Sequence, residues 1–297
     1  MNNTDFSEES VGPLKMVMTG IRERLAPKYG EGEAREMARI IFENLKGWSP
    51  VDIAIRQDEP VSAYISGKID TVVKRLLDDE PIQHIFGVAD FYGMKLHVTR
   101  DTLIPRPETA ELVDLIVKEN DRKDLRVLDA GTGSGCIAIA LSRNLPFSEV
   151  TAIDISDKAL EVARHNARDL HCVIDFRKAD MLSLPAGLDG EVFDIIVSNP
   201  PYIAMKEKAA MDRNVLEYEP ATALFVPDSD PLKFYSAILK ASQEGMLAPG
   251  GRIYFEINPA YADNLRDETI RLGFNNVTLT RDSYGKLRFL SAQKADL

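Results

Sequence analysis

The run Arg126-Val127-Leu128-Asp129-Ala130, followed by Gly131-Thr132-Gly133-Ser134-Gly135, leaves few folds open to this chain. Its first five residues read as a strand, and the segment from Cys136 to Arg143 reads as a helix. A strand and a helix joined by a glycine-rich turn begin a layered α/β fold. Alternating glycines let the backbone approach a ligand where side chains would clash, and the helix start supplies unpaired N–H groups. A carboxylate, a ribose or a phosphate would suit such a turn. Gly133, Gly135 and Ala138 also satisfy the dinucleotide pattern with alanine in third place, so an NAD domain stays open at this point.

The alternation continues downstream. A second strand, Val150 to Ile153, ends at Asp154, where an acidic residue can accept both hydroxyls of a ribose. A helix from Ser156 to Arg168 and a third strand around Val173 to Phe176 lead to Ala179-Asp180-Met181. Asp180 could accept an adenine amino group and Met181 could cover the ring; taken alone, the two would be a helix cap and a core filler. The apolar run Phe193 to Val197 is the fourth strand, and Pro249-Gly250-Gly251 turns the chain into a strand from Arg252 to Ile257. A final helix and strands near Val277 to Thr280 and Leu287 to Leu290 complete a mixed sheet. The polar stretch Ala204 to Pro231, with Glu217, Glu219 and three prolines, is either a lid over a pocket or a long surface loop.

The fourth strand runs into Ser198-Asn199-Pro200-Pro201-Tyr202. Ligands of open α/β sheets bind outside the C-terminal strand ends, which is where this motif falls. Its chemistry suits transfer to a planar nitrogen, whose lone pair is delocalised until the NH2 group is held. Asn199 could accept one N–H through its side-chain oxygen and Pro200 the other through its backbone carbonyl. Both prolines fix φ and stiffen the turn, and Tyr202 could lie over the flat acceptor. The competing reading is a strand-terminating turn, since Asn and Pro are common turn residues.

The segment from Val11 to Asp79 has helical spacing throughout, as in Leu14, Val17, Met18, Ile21 and Leu25, then Ala34, Met37, Ala38, Ile41 and Leu45. Ser49-Pro50 fits an N-cap with proline at the first helical position, and a last helix covers Ala63 to Leu77. Residues 1–80 thus form a small helical bundle. Residues 81–107 form a connector with a β-hairpin between Gln83 and Val98, and residues 108–297 form the α/β domain, whose first helix spans Glu108 to Lys118. Arg106, between Pro105 and Pro107, is a cation at the pocket or a linker charge. No apolar run reaches transmembrane length, and the polar, acidic start is no signal peptide. Cys136 and Cys172 read as buried thiols in a reducing cytoplasm, and no His or Cys spacing suits a metal. A net charge of −11 argues against direct nucleic-acid binding and for a basic protein partner.

With the glycine loop, Asp154 and Asn199-Pro200-Pro201-Tyr202 in this order, the chain resembles the class I S-adenosylmethionine-dependent methyltransferases, α/β proteins with a Rossmann-like, mostly parallel seven-stranded sheet. Leu103-Ile104-Pro105-Arg106-Pro107-Glu108-Thr109 ahead of Leu128-Asp129-Ala130-Gly131-Thr132-Gly133-Ser134-Gly135 narrows the resemblance to the HemK/PrmC family. That family methylates the side-chain N5 of the glutamine in the Gly-Gly-Gln motif of peptide chain release factors. The resemblance implies S-adenosyl-L-methionine as cofactor, held by Gly131, Thr132, Gly133, Ser134, Gly135, Asp154, Asp180, Met181 and Asn199. It implies Asn199, Pro200, Pro201 and Tyr202 around the glutamine amide, with Asn199, Pro200 and Tyr202 carrying the reaction, and the helical domain docking the substrate. Some relatives have an aromatic residue at Met181, and many have glycine at Asn258. The rival readings are a ribosomal-protein glutamine methyltransferase, a DNA or RNA base amino methyltransferase, and a nucleotide-binding scaffold without catalysis.

Overall fold

The computed structural model describes residues 10–296 apart from Pro185, Gly187 and Asp189, so the acidic segment before Ser10 lies outside the described residues. The chain divides into two units, Met1–Phe86 and Gly87–Leu297. This division puts Pro81–Phe86 with the helices and the hairpin with the sheet.

The first unit contains β1 (Ser10–Pro13), α1 (Leu14–Lys46), α2 (Pro50–Ile55), β2 (Pro60–Ser62), α3 (Ala63–Leu77) and α4 (Ile82–Phe86). Helix α1 breaks at Gly30, whose φ of 80° lies in the left-handed region, so its two apolar repeats turn separate stretches onto one core. That core includes Leu14, Leu25, Ala38, Ile41, Phe42, Val73 and Leu76. Ser49 caps α2 as its spacing predicts: its hydroxyl accepts from Asp52 N at 3.1 Å, within a capping box. The segment is not helical throughout. Residues 10–13 and 60–62 pair as antiparallel strands, because Pro13 and Ser62 hold extended angles as the N-caps of α1 and α3. Likewise Gln83–Phe86, expected to open the hairpin, belongs to α4.

The second unit opens with the hairpin β3 (Val88–Phe91) and β4 (Met94–His97), then α5 (Pro107–Glu119). The sheet region comprises β5 (Arg126–Ala130), α6 (Cys136–Asn144), β6 (Glu149–Asp154), α7 (Asp157–Asp169), β7 (Asp175–Lys178) and β8 (Phe193–Ser198). The insertion that follows holds β9 (Ile203–Ala204), α8 (Arg213–Tyr218) and β10 (Phe225–Val226), with β9 and β10 paired in parallel. The chain finishes through α9 (Lys233–Ala241), β11 (Leu247–Glu256), α10 (Ala262–Arg271), β12 (Phe274–Arg281) and β13 (Leu287–Lys294). Seven strands form one sheet in the order β12-β13-β11-β8-β5-β6-β7, parallel except where β13 pairs with its two neighbours.

The strand order reverses between β5 and β8. From β5 the chain steps outward to β6 and β7, then returns to β8 on the other side. The C-terminal ends of β5 and β8 therefore flank the crevice where open α/β sheets bind ligands. Both strands are buried nearly end to end, as inner parallel strands covered on both faces must be. Asp129 stands level with Val197, and the Ser198 hydroxyl donates to the Ala130 carbonyl at 2.6 Å, tying the glycine loop to the Asn199 turn.

Candidate active site

The cavity at this switch point has a volume of about 510 Å³. Gly131, Thr132, Gly133, Ser134, Asp154, Asp180, Met181, Asn199 and Pro201 all line it, with Arg106 and Thr109 from the start of α5.

The glycine loop is held rigidly from below. Thr132 is buried, and its hydroxyl donates to Asp129 Oδ2 at 2.6 Å, while Ala138 N donates to the same oxygen at 3.1 Å. Burial pushes the Asp129 carboxyl up to about 7. Asn166 of α7 donates to the Ser134 carbonyl at 2.9 Å and also joins the backbone of His97, pinning loop, helix and hairpin together. Gly131, Gly133 and Gly135 have φ of 82°, 54° and 83°. A Cβ at Gly135 would lie 3.1 Å from that of Ala163, and one at Gly131 would meet Met181, whereas the space at Gly133 is open. The loop thus offers backbone to a ligand at Gly133 and packs against protein at its flanks.

Asp154 closes one side. Its Oδ2 accepts from Gly133 N and its Oδ1 from Ser156 N, each at 2.9 Å, so the carboxylate is aimed while each oxygen keeps a second lone pair for a hydroxyl donor. Burial raises its pKa. Asp180 is a cap, accepting from Leu182 N at 2.9 Å, and Met181 packs over Gly131 and against Ser198; both still line the cavity, so the structural and ligand-facing roles coincide. The residues present fit an adenosine-bearing cofactor: an aimed carboxylate for vicinal hydroxyls, the apolar side chains of Met181 and Leu182, and glycine backbone with open space at Gly133.

Asn199 belongs to a buried polar chain. Its Nδ2 donates to Thr109 Oγ1 at 3.3 Å, and Thr109 in turn donates to Glu256 Oε2 at 2.7 Å. Tyr202 donates to Glu256 Oε1 at 3.1 Å. Tyr202 packs half-buried against the core, with its hydroxyl on Glu256. Pro200 is buried, and neither residue is part of the cavity wall among the described residues. Burial raises the pKa of Glu256, opposed by the hydrogen bonds from Thr109 and Tyr202.

The insertion covers part of the cavity with Pro220, Thr222, Ala223 and Phe225. Glu219, 1% exposed at its side chain, accepts from Arg106 Nη2 at 2.5 Å and from Ile104 N at 3.2 Å, latching the insertion to the segment ahead of α5. Arg106 is thus both a cavity residue and an ion-pair partner. Asn258 donates to the Tyr202 carbonyl at 3.1 Å and to Glu207 Oε2 at 3.0 Å, which fastens the strand end to the same insertion. Cys136 and Cys172 are free thiols. Among the described residues there is no metal-binding cluster, and no helix is long and apolar enough to cross a membrane.

Residues 17–87 match the family model of the PrmC N-terminal domain, and residues 121–256 that of a methyltransferase domain. The chain is 45% identical to the release factor glutamine methyltransferase of Bacteroides thetaiotaomicron, over 95% of this chain and 100% of that one. The chain belongs to the release factor glutamine methyltransferase family. The enzyme of that name from Flavobacterium psychrophilum is 41% identical over 93% of this chain and 98% of its own. A methyltransferase from Pyrococcus furiosus, 19% identical, shares the fold with a TM-score of 0.50 over 75% of this chain and 97% of that one.

Proposed function

We propose that the protein transfers a methyl group from S-adenosyl-L-methionine to the side-chain N5 of the glutamine in the Gly-Gly-Gln motif of a peptide chain release factor. The observation that carries this reading is Asn199 beside the glycine loop, with its amide nitrogen tied to Thr109 and its oxygen left to accept an N–H. When bound, the cofactor supplies a methyl carbon made electrophilic by a sulfonium sulfur, and transfer leaves S-adenosyl-L-homocysteine.

The work of the chain is alignment. The Gly131–Ser134 backbone and Asp154 hold the cofactor, with Asp180 and Met181 beside the adenine, while Gly135, which does not line the cavity, seats the loop against α7. Asn199 Oδ1 accepts one N–H of the glutamine amide, which turns the nitrogen lone pair toward the methyl carbon; the Pro200 carbonyl, set behind the cavity wall, would take the other N–H only once the substrate reaches past Pro201. Orientation of this kind is worth up to roughly 7–11 kcal/mol. With the cofactor bound, the N–C bond would form as the C–S bond broke and the extra proton would leave to water, so the chain itself needs to supply no strong base. Tyr202 supports the turn through Glu256. The first unit is the docking module for the factor, and the protein acts in the cytoplasm, where translation terminates.

The test is labelled cofactor offered with purified release factor, the same factor carrying Gln→Ala in its Gly-Gly-Gln loop, ribosomes, and DNA. Label on the factor that vanishes with Gln→Ala is the expected result. Label confined to ribosomal protein or nucleic acid would overturn the substrate assignment.

A further inference from the structure

A primary amide can present either its oxygen or its NH2 group to a pocket, and only its neighbours decide which. Asn199 meets one deciding neighbour, the Thr109 hydroxyl at 3.3 Å. A hydroxyl could donate to Asn199 or accept from it. Here its single proton points elsewhere, to Glu256 Oε2 at 2.7 Å. Glu256 is 1% exposed at the end of β11, and its Oε2 is the acceptor of the Thr109 hydroxyl. Its other oxygen takes the Tyr202 hydroxyl, so both oxygens draw protons toward the carboxylate. Thr109, itself 2% exposed, is left with lone pairs to offer, and the NH2 of Asn199 must face it.

We propose that Thr109 and Glu256 are positioning residues that lock the Asn199 amide with its oxygen turned to the cavity. The proposal rests on the reading of Asn199 as the acceptor of the substrate's N–H. Without the relay the amide can turn over and present its NH2 group, which repels an incoming N–H donor. None of the three residues is near another in sequence: α5, the end of β8 and the end of β11 bring them together.

The experiment compares wild type with Thr109→Ser and Thr109→Val, measuring kcat, KM for release factor, cofactor affinity by calorimetry, and Tm. Serine keeps the hydroxyl; valine keeps the shape without it. The expected result is a kcat lowered about 10- to 100-fold in Thr109→Val at unchanged cofactor affinity, with Thr109→Ser within about threefold of wild type. Equal kcat in all three, a Thr109→Ser defect matching that of Thr109→Val, or parallel loss of cofactor affinity and turnover would overturn it.

A second readout needs no acceptor. The side-chain amide signals of Asn199, assigned in nitrogen-15 spectra by their loss in Asn199→Asp, are expected to be protected from exchange in wild type and Thr109→Ser but not in Thr109→Val. Protection indifferent to Thr109 would overturn the relay. A wild-type protein that methylates no release factor would instead overturn the functional reading, while these signals still decide the relay.

Discussion

In the proposed reaction the substrate's NH2 group is aligned by one side-chain oxygen, that of Asn199. Asn199→Ala removes it and leaves the glycine loop and Asp154 untouched, so kcat is expected to fall about 100-fold while the cofactor dissociation constant stays within about threefold. Steady-state kinetics beside calorimetry checks this, and equal loss in both would make Asn199 a structural residue. Asn199 and Asp154 were legible as cavity residues because each stands at the C-terminal end of a parallel strand. Thr109 and Glu256 were not legible as partners, since 147 positions separate them and only the sheet order brings them to 2.7 Å. The bond from the Tyr202 hydroxyl to Glu256 was likewise not legible, since 54 positions separate the two residues.

At the scale of elements, the glycine loop works because two helices crowd it. Gly135→Ala puts a methyl group 3.1 Å from Ala163 Cβ and 3.3 Å from Ile139 Cδ1 at a φ of 83°, so urea unfolding is expected to show a loss of about 1–3 kcal/mol. An unchanged midpoint would mean that α6 and α7 can separate without cost. The insertion depends on its latch. Glu219→Ala leaves Arg106 without its carboxylate, and hydrogen exchange in residues 213–226 is expected to quicken while β5, β6 and β8 keep their protection. Uniform exchange across the unit would place the effect in global stability instead. The parallel strands and their helices were readable from apolar runs and alternating periods. The short strands β1 and β2 were not, because extended N-caps inside an otherwise helical pattern carry no period of their own. The insertion read as either lid or loop because its cover of the cavity comes from scattered residues, Pro220, Thr222, Ala223 and Phe225.

At the scale of the whole molecule, Asp129 couples the site to the stability of its unit. Folded, it keeps its proton up to about 7; unfolded, an aspartate loses it near 4. As pH rises between those values the unfolded chain releases the proton first, so stability falls through this window and the full cost is present above it. The unfolding free energy of wild type minus that of Asp129→Asn is expected to drop by about 2–3 kcal/mol between pH 5 and pH 8. A difference independent of pH would mean that Asp129 is ionised throughout. The change of texture after Pro81 falls inside the first unit, which ends at Phe86 because a short helix follows that proline. The charge of −11 gave the class of partner a direction and no identity. The central claim, methyl transfer to glutamine nitrogen aligned by Asn199, is tested most directly by mass spectrometry of release factor peptides after incubation with cofactor and either wild type or Asn199→Ala. The account predicts one methyl group on the glutamine of the Gly-Gly-Gln loop with wild type and almost none at the same time point with the variant, though the variant binds cofactor. A methyl group on any other residue, or equal modification by both proteins, would contradict it.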